Sequence, residues 1–170
     1  MGALLVIFIN SYIESRDEAR IFSFYHDEMA ATVSPNTLKR SIDENDEKYI
    51  LVDLRSAPEY EKEHFKTAIN IPAGSLSEDE IVSEFKKLDK GKTIVVYCYS
   101  HSCTLGATVG KMLSDNKIFV KELRVGWSEL RYNWSIWNAG AKDTDNKDYI
   151  ITNPSATTLP VPCSEGEFGC

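Results

Sequence analysis

Short apolar runs alternate with amphipathic stretches through the central part of the chain. Three runs are apolar at nearly every position, which is typical of strands covered on both faces of a parallel sheet. The runs are Tyr49–Val52, Thr93–Tyr97 and Ile118–Val120 followed by Leu123, with Ala68–Pro72 as a shorter candidate. Because strands that alternate with helices form βαβ units, the pattern predicts an α/β fold with a mainly parallel sheet.

Helix starts can be identified between these runs. Ser34 before Pro35 supplies an N-cap oxygen, and a proline at the first helical position loses no donor that the helix needs. Ser77 is followed by three acidic residues, which suit the positive end of a helix dipole. Further helices are predicted over residues 59–65 and 104–113, so each strand candidate has a helical neighbour.

The two ends of the chain differ from its centre. Residues 12–31 have a mixed helical spacing and predict a helical arm. Residues 3–9 are apolar, but a spanning helix needs about 20 apolar residues and a signal peptide needs a basic start. We interpret this run as a core or interface element, with the end of a membrane anchor as the alternative. The predicted organisation is an arm over 1–32, a domain over 33–140 and an extended tail over 141–170.

Composition restricts the kinds of partner and metal site that the protein is expected to have. The chain has 170 residues, which is enough for one α/β domain. Its formal net charge of −7 disfavours binding to nucleic acid, because the phosphate backbone is also negative. Its four cysteines form no Cys-x-x-Cys pair and have no histidine at zinc-ligand spacing, so no metal is predicted. Cys163 and Cys170 could pair in an oxidising compartment and would be free thiols in the cytosol.

The segment Tyr97–Leu105 carries the candidate chemistry. A buried strand leads into Cys98, and a helix is predicted to begin shortly after Cys103. The carboxyl end of a parallel strand is where open α/β sheets bind ligands. A loop at this point directs backbone N–H groups inward, and the helix N-terminus adds positive potential, so both favour a thiolate. The pattern therefore predicts a nucleophilic Cys98.

Three segments, in this order, resemble the rhodanese homology domain. The first is residues 52–60 with His64 and 68–72, the second is the loop after Cys98, and the third is Gly126–Leu130. The resemblance covers roughly residues 34–132. It implies a three-layer α/β fold in which a mainly parallel central sheet of about five strands is flanked by helices.

The resemblance also implies an activity. Cys98 would take a sulfane sulfur from thiosulfate or a persulfide donor, hold it as a persulfide, and pass it to a thiol or cyanide without a cofactor. The expected partners are therefore a small sulfur-containing anion or a protein persulfide or thiol. The expected location is the cytoplasm, with a membrane-anchored or exported protein as the alternative if residues 3–9 belong to an anchor or a signal. Arg55 would either border the pocket or make a structural salt bridge with Asp53. The expected substrate-binding loop consists of Tyr99, Ser100, His101, Ser102, Cys103 and Thr104.

The sequence departs from the family within this loop. Many members carry arginine at the position of Cys103, and related phosphatases use a longer loop that ends in arginine, whereas no Arg or Lys occurs over residues 98–110. A phosphatase would lose a large electrostatic contribution, so we exclude that class. Cys103 could be a resolving thiol, which attacks the cysteine that carries the sulfur, or could pack as a small apolar residue. Two alternatives to sulfur transfer remain, a binding or regulatory module without turnover and a thiol-redox protein that uses both cysteines.

Overall fold

The computed structural model describes the backbone of residues 2–156 and the side chains of residues 16–156. Two compact units divide the chain, Met1–Thr32 and Val33–Cys170. The helices are α1 (Gly2–Ala31), α2 (Pro35–Asp43), α3 (Ala57–Lys62), α4 (Glu78–Lys86), α5 (Leu105–Asp115), α6 (Trp127–Tyr132) and α7 (Trp134–Trp137). The strands are β1 (Thr32–Val33), β2 (Tyr49–Asp53), β3 (Glu63–Phe65), β4 (Ile69–Asn70), β5 (Thr93–Tyr97), β6 (Val120–Leu123) and β7 (Ile150–Thr152).

The N-terminal unit consists mainly of helix α1, which confirms the predicted helical arm. The Thr32 hydroxyl donates to the carbonyl oxygen of Glu28 at 2.8 Å, at the end of the helix. Within the part of the chain that the structure describes, no helix is both long enough and apolar enough to cross a membrane.

The five-stranded sheet has the order β1-β6-β5-β2-β4. Strand β5 is central and pairs in parallel with β2 along its whole length, from Thr93 opposite Tyr49 to Tyr97 opposite Asp53. Strand β6 pairs in parallel with the other side of β5, and β4 with the other side of β2. The predicted mainly parallel sheet of about five strands is confirmed.

Two apolar clusters lie on opposite faces of this sheet. Val96 belongs to a cluster with Phe85 of α4 and Val109 of α5. Val95, the preceding residue, belongs to the second cluster, with Leu130 of α6. Successive side chains of a strand point to opposite faces, so β5 has to be apolar at consecutive positions because both of its faces are covered. This is the three-layer arrangement that the family resemblance implies.

Both predicted N-caps are present. The Ser34 side chain accepts a hydrogen bond from the backbone N–H of Asn36 at 3.3 Å, at the start of α2. The backbone N–H of Ser77 donates to Glu80 at 2.8 Å, which forms a capping box at the start of α4. Local sequence chemistry alone fixes these helix starts.

Strand β6 starts two residues later than the apolar run suggests. Ile118 donates its N–H to the carbonyl oxygen of Leu113 at 2.9 Å, and Lys117 has a φ of 60°. These residues form the turn that closes α5, so they are not available to the sheet. Phe119 is 76% exposed and lies before the first paired residue.

The predicted helix over 59–65 and the predicted tail also differ from the structure. Helix α3 ends at Lys62, and the next residues form β3, which pairs antiparallel with β7. Residues 143–148 form a 3-10 helix in which Asn146 donates to the carbonyl oxygens of Leu130 at 2.8 Å and Arg131 at 2.7 Å. The segment after Gly140, expected to be extended and poorly packed, therefore packs on the domain at least as far as β7.

Candidate active site

Cys98 directly follows β5, at the carboxyl end of the central strand. Only 4% of the residue is exposed, and it belongs to the apolar cluster that contains Val96. The N–H of Trp127 donates to the carbonyl oxygen of Cys98 at 2.8 Å, and the N–H of Ser128 donates to that of Tyr99 at 2.9 Å. The first turn of α6 therefore fixes the backbone at the point where the strand becomes the loop.

The loop brings Cys103 back onto Cys98. A turn in which the N–H of Cys103 donates to the carbonyl oxygen of Ser100 at 3.1 Å reverses the chain. As a result, the Sγ atoms of Cys98 and Cys103 are 2.8 Å apart and share a hydrogen bond. Both residues are buried, at 4% and 5% exposed, and both are free thiols. The site is thus a dithiol.

This contact separates the two ionisations of the dithiol. The hydrogen bond from Cys98 lowers the pKa of Cys103 to about 6, and the N–H groups of Leu105 and Tyr99 contribute in the same direction. The contact with Cys103, followed by burial, raises the pKa of Cys98 well above its ordinary value. One proton is therefore shared, and the pair carries one negative charge at neutral pH.

The backbone amides of the loop point in several directions. The N–H of His101 donates to Glu129 at 3.2 Å, and that of Ser102 donates to the Ser100 hydroxyl at 3.3 Å. The N–H groups that lower the thiol pKa values are those of Tyr99, which acts on both cysteines, and Leu105. Because Leu105 is the first residue of α5, the helix N-terminus acts on Cys103, the cysteine nearer to it in sequence.

Glu129 connects the loop to helix α6 through hydrogen bonds. Its carboxylate accepts hydrogen bonds from the N–H of Gly126 at 2.9 Å and the N–H of His101 at 3.2 Å. It also pairs with His101 Nδ1 at 3.0 Å, and His101 Nε2 contacts the Ser102 hydroxyl at 3.2 Å. Burial raises the pKa of Glu129, but these hydrogen bonds outweigh it and the net shift is downward, which keeps the group ionised.

Sequence reasoning missed Glu129 as part of the site. The only local signal was its position three residues after Gly126, the spacing of a capping box. That pattern predicts the start of a helix, but it does not predict that the same carboxylate binds a loop from another part of the chain.

Two further carboxylates lie next to the loop. Tyr99 donates its hydroxyl hydrogen bond to Glu59 at 2.6 Å, and burial together with this contact raises the pKa of Tyr99 to about 12. Burial and the nearby Cys103 raise the pKa of Glu122. A Cβ built on Gly106, in the first turn of α5, would lie 2.4 Å from Glu122 Oε1. The carboxylate trio, Glu59, Glu122 and Glu129, therefore surrounds a loop without any Arg or Lys.

Arg55 makes a buried salt bridge with Asp53, which was the structural alternative to a position at the border of the pocket. It is 2% exposed, and its Nη2 lies 2.6 Å from Asp53 Oδ2 and 2.8 Å from the carbonyl oxygen of Glu63. Its guanidinium stacks over Trp127 at 4.0 Å, and the hydroxyl of Tyr97 donates to Asp53 at 2.6 Å. This buried network connects β2, β5 and α6.

Among residues 16–156, no group of three or more His, Cys, Asp or Glu side chains is arranged to hold a metal ion. Cys163 and Cys170, whose pairing was left open, lie outside the described residues.

Comparisons with known proteins agree with the fold. The BH2092 protein from Bacillus halodurans is 31% identical, with a TM-score of 0.54 over 64% of this chain and 77% of that chain. A protein from Lactobacillus plantarum, 23% identical, matches with a TM-score of 0.52 over 66% of this chain and 89% of that chain. A tRNA sulfurtransferase from Thermoplasma acidophilum is 47% identical over 49 residues, which is 29% of this chain but only 8% of that protein.

The model of the family described as "Rhodanese-like domain" matches residues 34–132. This range begins at the N-cap of α2 and ends with α6, so it contains the dithiol loop and the helix that holds it. It also agrees with the range of the sequence resemblance. The chain therefore belongs to the rhodanese-like domain family.

Proposed function

We propose that the protein is a sulfurtransferase in which Cys98 carries a sulfane sulfur as a persulfide. One observation carries the proposal: Cys98 lies at the carboxyl end of the central strand, and its Sγ lies 2.8 Å from that of Cys103. A nucleophilic thiolate is needed for sulfur transfer. The dithiol meets this need without a basic side chain. The pKa of Cys103 is lowered to about 6, and its thiolate lies 2.8 Å from the Cys98 thiol, so it can take the proton of Cys98 when Cys98 attacks the donor. Family membership and the local similarity to a tRNA sulfurtransferase support the same chemistry.

The reaction has two substitution steps at sulfur. In the first step, the Cys98 thiolate attacks the outer sulfur of the donor. The new Cys98 S–S bond replaces the donor's S–S bond, and the donor leaves as a thiolate or, from thiosulfate, as sulfite. In the second step, a thiolate or cyanide attacks the outer sulfur of the persulfide and leaves Cys98 as a thiolate. No metal or organic cofactor is required for either step.

The charges around the loop favour a persulfide donor over thiosulfate. Thiosulfate is a dianion, and it would have to approach Glu59 and Glu129 near the loop without compensation from Arg or Lys. Repulsion between like charges is strongest where the groups are partly removed from water. A persulfide that carries its sulfur on a neutral or singly charged group suffers less from this repulsion, so we propose organic or protein persulfides as donors.

The test is the intact mass of the protein after incubation with a persulfide donor, measured in Cys103→Ser so that the second thiol cannot react further. The incubation is done at about pH 9, where an ordinary thiol is largely ionised without a partner. We expect the gain of one sulfur atom on Cys98, which cyanide removes as thiocyanate. Cys98→Ser, the matched control, should gain none. If Cys103→Ser is folded but never gains sulfur, the proposal is wrong and a binding or regulatory module without turnover becomes the better interpretation.

A further inference from the structure

The position of Cys103 raises the question of what happens after the persulfide has formed. Its Sγ lies 2.8 Å from that of Cys98, and both side chains are buried. A persulfide on Cys98 would therefore form with a second thiol already in contact with its inner sulfur. Rates of reactions between such pre-positioned groups correspond to effective concentrations of about 10⁵–10⁸ M when the geometry is favourable.

We infer that Cys103 attacks the Cys98 persulfide, so that the domain releases the sulfane sulfur as hydrogen sulfide and is left with a Cys98–Cys103 disulfide. This inference rests on the proposed persulfide and adds an activity to it, the reduction of persulfides. Cys103 is then a catalytic residue, because it touches the reacting sulfur.

Atoms and electrons balance in this step. Cys103 Sγ bonds to Cys98 Sγ, and the bond between Cys98 Sγ and the outer sulfur breaks. The pair of Cys103 and the Cys98 persulfide holds one proton, which ends on the outer sulfur, so that this sulfur leaves as HS⁻. The outer sulfur is reduced to sulfide, while the two cysteine sulfurs are oxidised to a disulfide. A thiol reductant, either one dithiol or two monothiols, then returns the disulfide to the dithiol by exchange.

The surroundings of the loop favour this internal step over attack by an external thiolate. Cys98 is 4% exposed, and an external acceptor has to reach it in a second encounter, after the donor has left. An acceptor thiolate would also approach Glu129, which binds the backbone of the loop, and Glu59, which binds Tyr99. Cys103 needs no approach, because the turn closed by Ser100 holds it against Cys98.

The helix that follows the loop also prepares Cys103 for the attack. The N–H of Leu105, at the start of α5, helps to lower the pKa of Cys103. A thiol that ionises readily is a good nucleophile near neutral pH. Simple apolar packing of Cys103 would explain its burial, but it would not require a hydrogen bond to Cys98.

The experiment uses the full chain with Cys163→Ser and Cys170→Ser, so that no other cysteine contributes. The protein is mixed with one equivalent of cysteine persulfide, and sulfide release and the intact mass are followed over one turnover. We expect one sulfide per chain and a Cys98–Cys103 disulfide identified by peptide mapping. Adding a dithiol reductant and excess donor should give continued sulfide release above the protein-free rate.

The same measurement on Cys103→Ser separates the inference from the proposed function. We expect a stable Cys98 persulfide and sulfide release slower by about 100-fold or more, because the internal nucleophile is missing. If the parent protein holds its persulfide as long as Cys103→Ser does and forms no disulfide, the inference is wrong while the proposed function stands. If Cys103→Ser gains no sulfur even at about pH 9, where an ordinary thiol is largely ionised without a partner, the proposed function itself is wrong. Mapping the disulfide in the parent protein does not depend on how well any variant of Cys98 or Cys103 folds.

Discussion

Gly126 and Ser100 are in contact backbone to backbone. A Cβ built on Gly126 would lie 2.4 Å from both the N and the Cα of Ser100. The φ of Gly126 is −101°, which any residue can adopt, so the glycine is required by the close approach and not by its conformation. Through this contact, the start of α6 determines the position of the loop that carries the dithiol.

Gly126→Ala should therefore displace the loop. Because the clash is with backbone, we expect the free energy of unfolding to fall by about 1–3 kcal/mol. The rate of sulfur uptake by Cys98 should fall by on the order of 10-fold or more, since small misplacements of reacting groups are costly. Urea unfolding and single-turnover mass measurements test both expectations.

Gly110→Ala is the matched control for this prediction. Gly110 lies within α5, and a Cβ there would meet Val120 Cγ2 at 3.7 Å, an ordinary contact. The change should stabilise the protein by about 0.5–1 kcal/mol, because alanine is the better helix former, and should leave sulfur uptake unchanged. Equal effects of the two changes would contradict the assigned role of Gly126.

Cys103→Ala should change the pH dependence of the thiolate. In the parent protein, the pair loses its first proton at a pKa of about 6. Without Cys103, Cys98 keeps its burial but loses its partner, so its pKa should be at or above the ordinary value of about 8.5. The midpoint of the thiolate absorbance titration should therefore move up by about 2.5 pH units or more.

The folded pair binds fewer protons than the unfolded chain between the lowered pKa of about 6 and the ordinary thiol range. The parent protein should therefore gain stability relative to Cys103→Ala as the pH rises through this window, and lose that advantage as the pH falls through it. Cys98→Ala is the control for the thiolate titration. It should raise the midpoint of the absorbance titration less than Cys103→Ala does, because the N–H groups of Leu105 and Tyr99 still act on Cys103. An unchanged midpoint in Cys103→Ala would show that the two thiols do not share a proton.

Glu129→Gln should make thiosulfate a better donor. Glutamine can still accept the hydrogen bonds from Gly126 and His101, but it removes one negative charge beside the loop. We expect kcat/KM for thiosulfate to rise by on the order of 10-fold at low salt and by less at high salt. The gain should be smaller for a singly charged persulfide, because thiosulfate is a dianion. Sulfite release measures the reaction with thiosulfate, and the intact mass measures the reaction with the persulfide.

Asp115→Asn is the control for charge alone. Asp115 is the last residue of α5, which begins at the loop and has 11 residues. Its carboxylate therefore lies about 15 Å from the helix start, beyond the Debye length of about 8 Å at physiological salt. Asp115→Asn should leave the thiosulfate rate unchanged. An increase equal to that of Glu129→Gln would mean that net charge, and not the carboxylate at the loop, controls the choice of donor.

Asp53→Asn should be strongly destabilising. Asp53 is fully buried and holds the buried Arg55 at 2.6 Å. Leaving a buried guanidinium without its counter-charge costs about 3–5 kcal/mol. Removing the exposed pair between Lys111 and Asp115 with Lys111→Ala should cost only about 0–1 kcal/mol. Urea unfolding of both variants compares them, and similar losses would contradict a structural role for the Asp53–Arg55 pair.

Much of the domain was predictable because it depends on neighbouring residues. The strand that leads into Cys98 is apolar at consecutive positions, and the caps at Ser34 and Ser77 act within a single helical turn. By contrast, β3 could not be predicted, because its partner β7 is supplied by a segment far along the chain whose composition resembles a tail. Similarly, the turn that removes Ile118 from β6 depends on how α5 ends.

The sequence by itself determined the parallel sheet, the family and the placement of Cys98 at a strand end. Each follows from short-range patterns of burial and from motif order. Only the tertiary structure decided that Cys103 touches Cys98. The same holds for the hydrogen bond that the Glu129 carboxylate accepts from the backbone N–H of His101. Both relationships depend on a few ångströms of loop geometry that α6 imposes through Gly126, and side-chain distances of that kind are set by packing between segments that are distant in sequence.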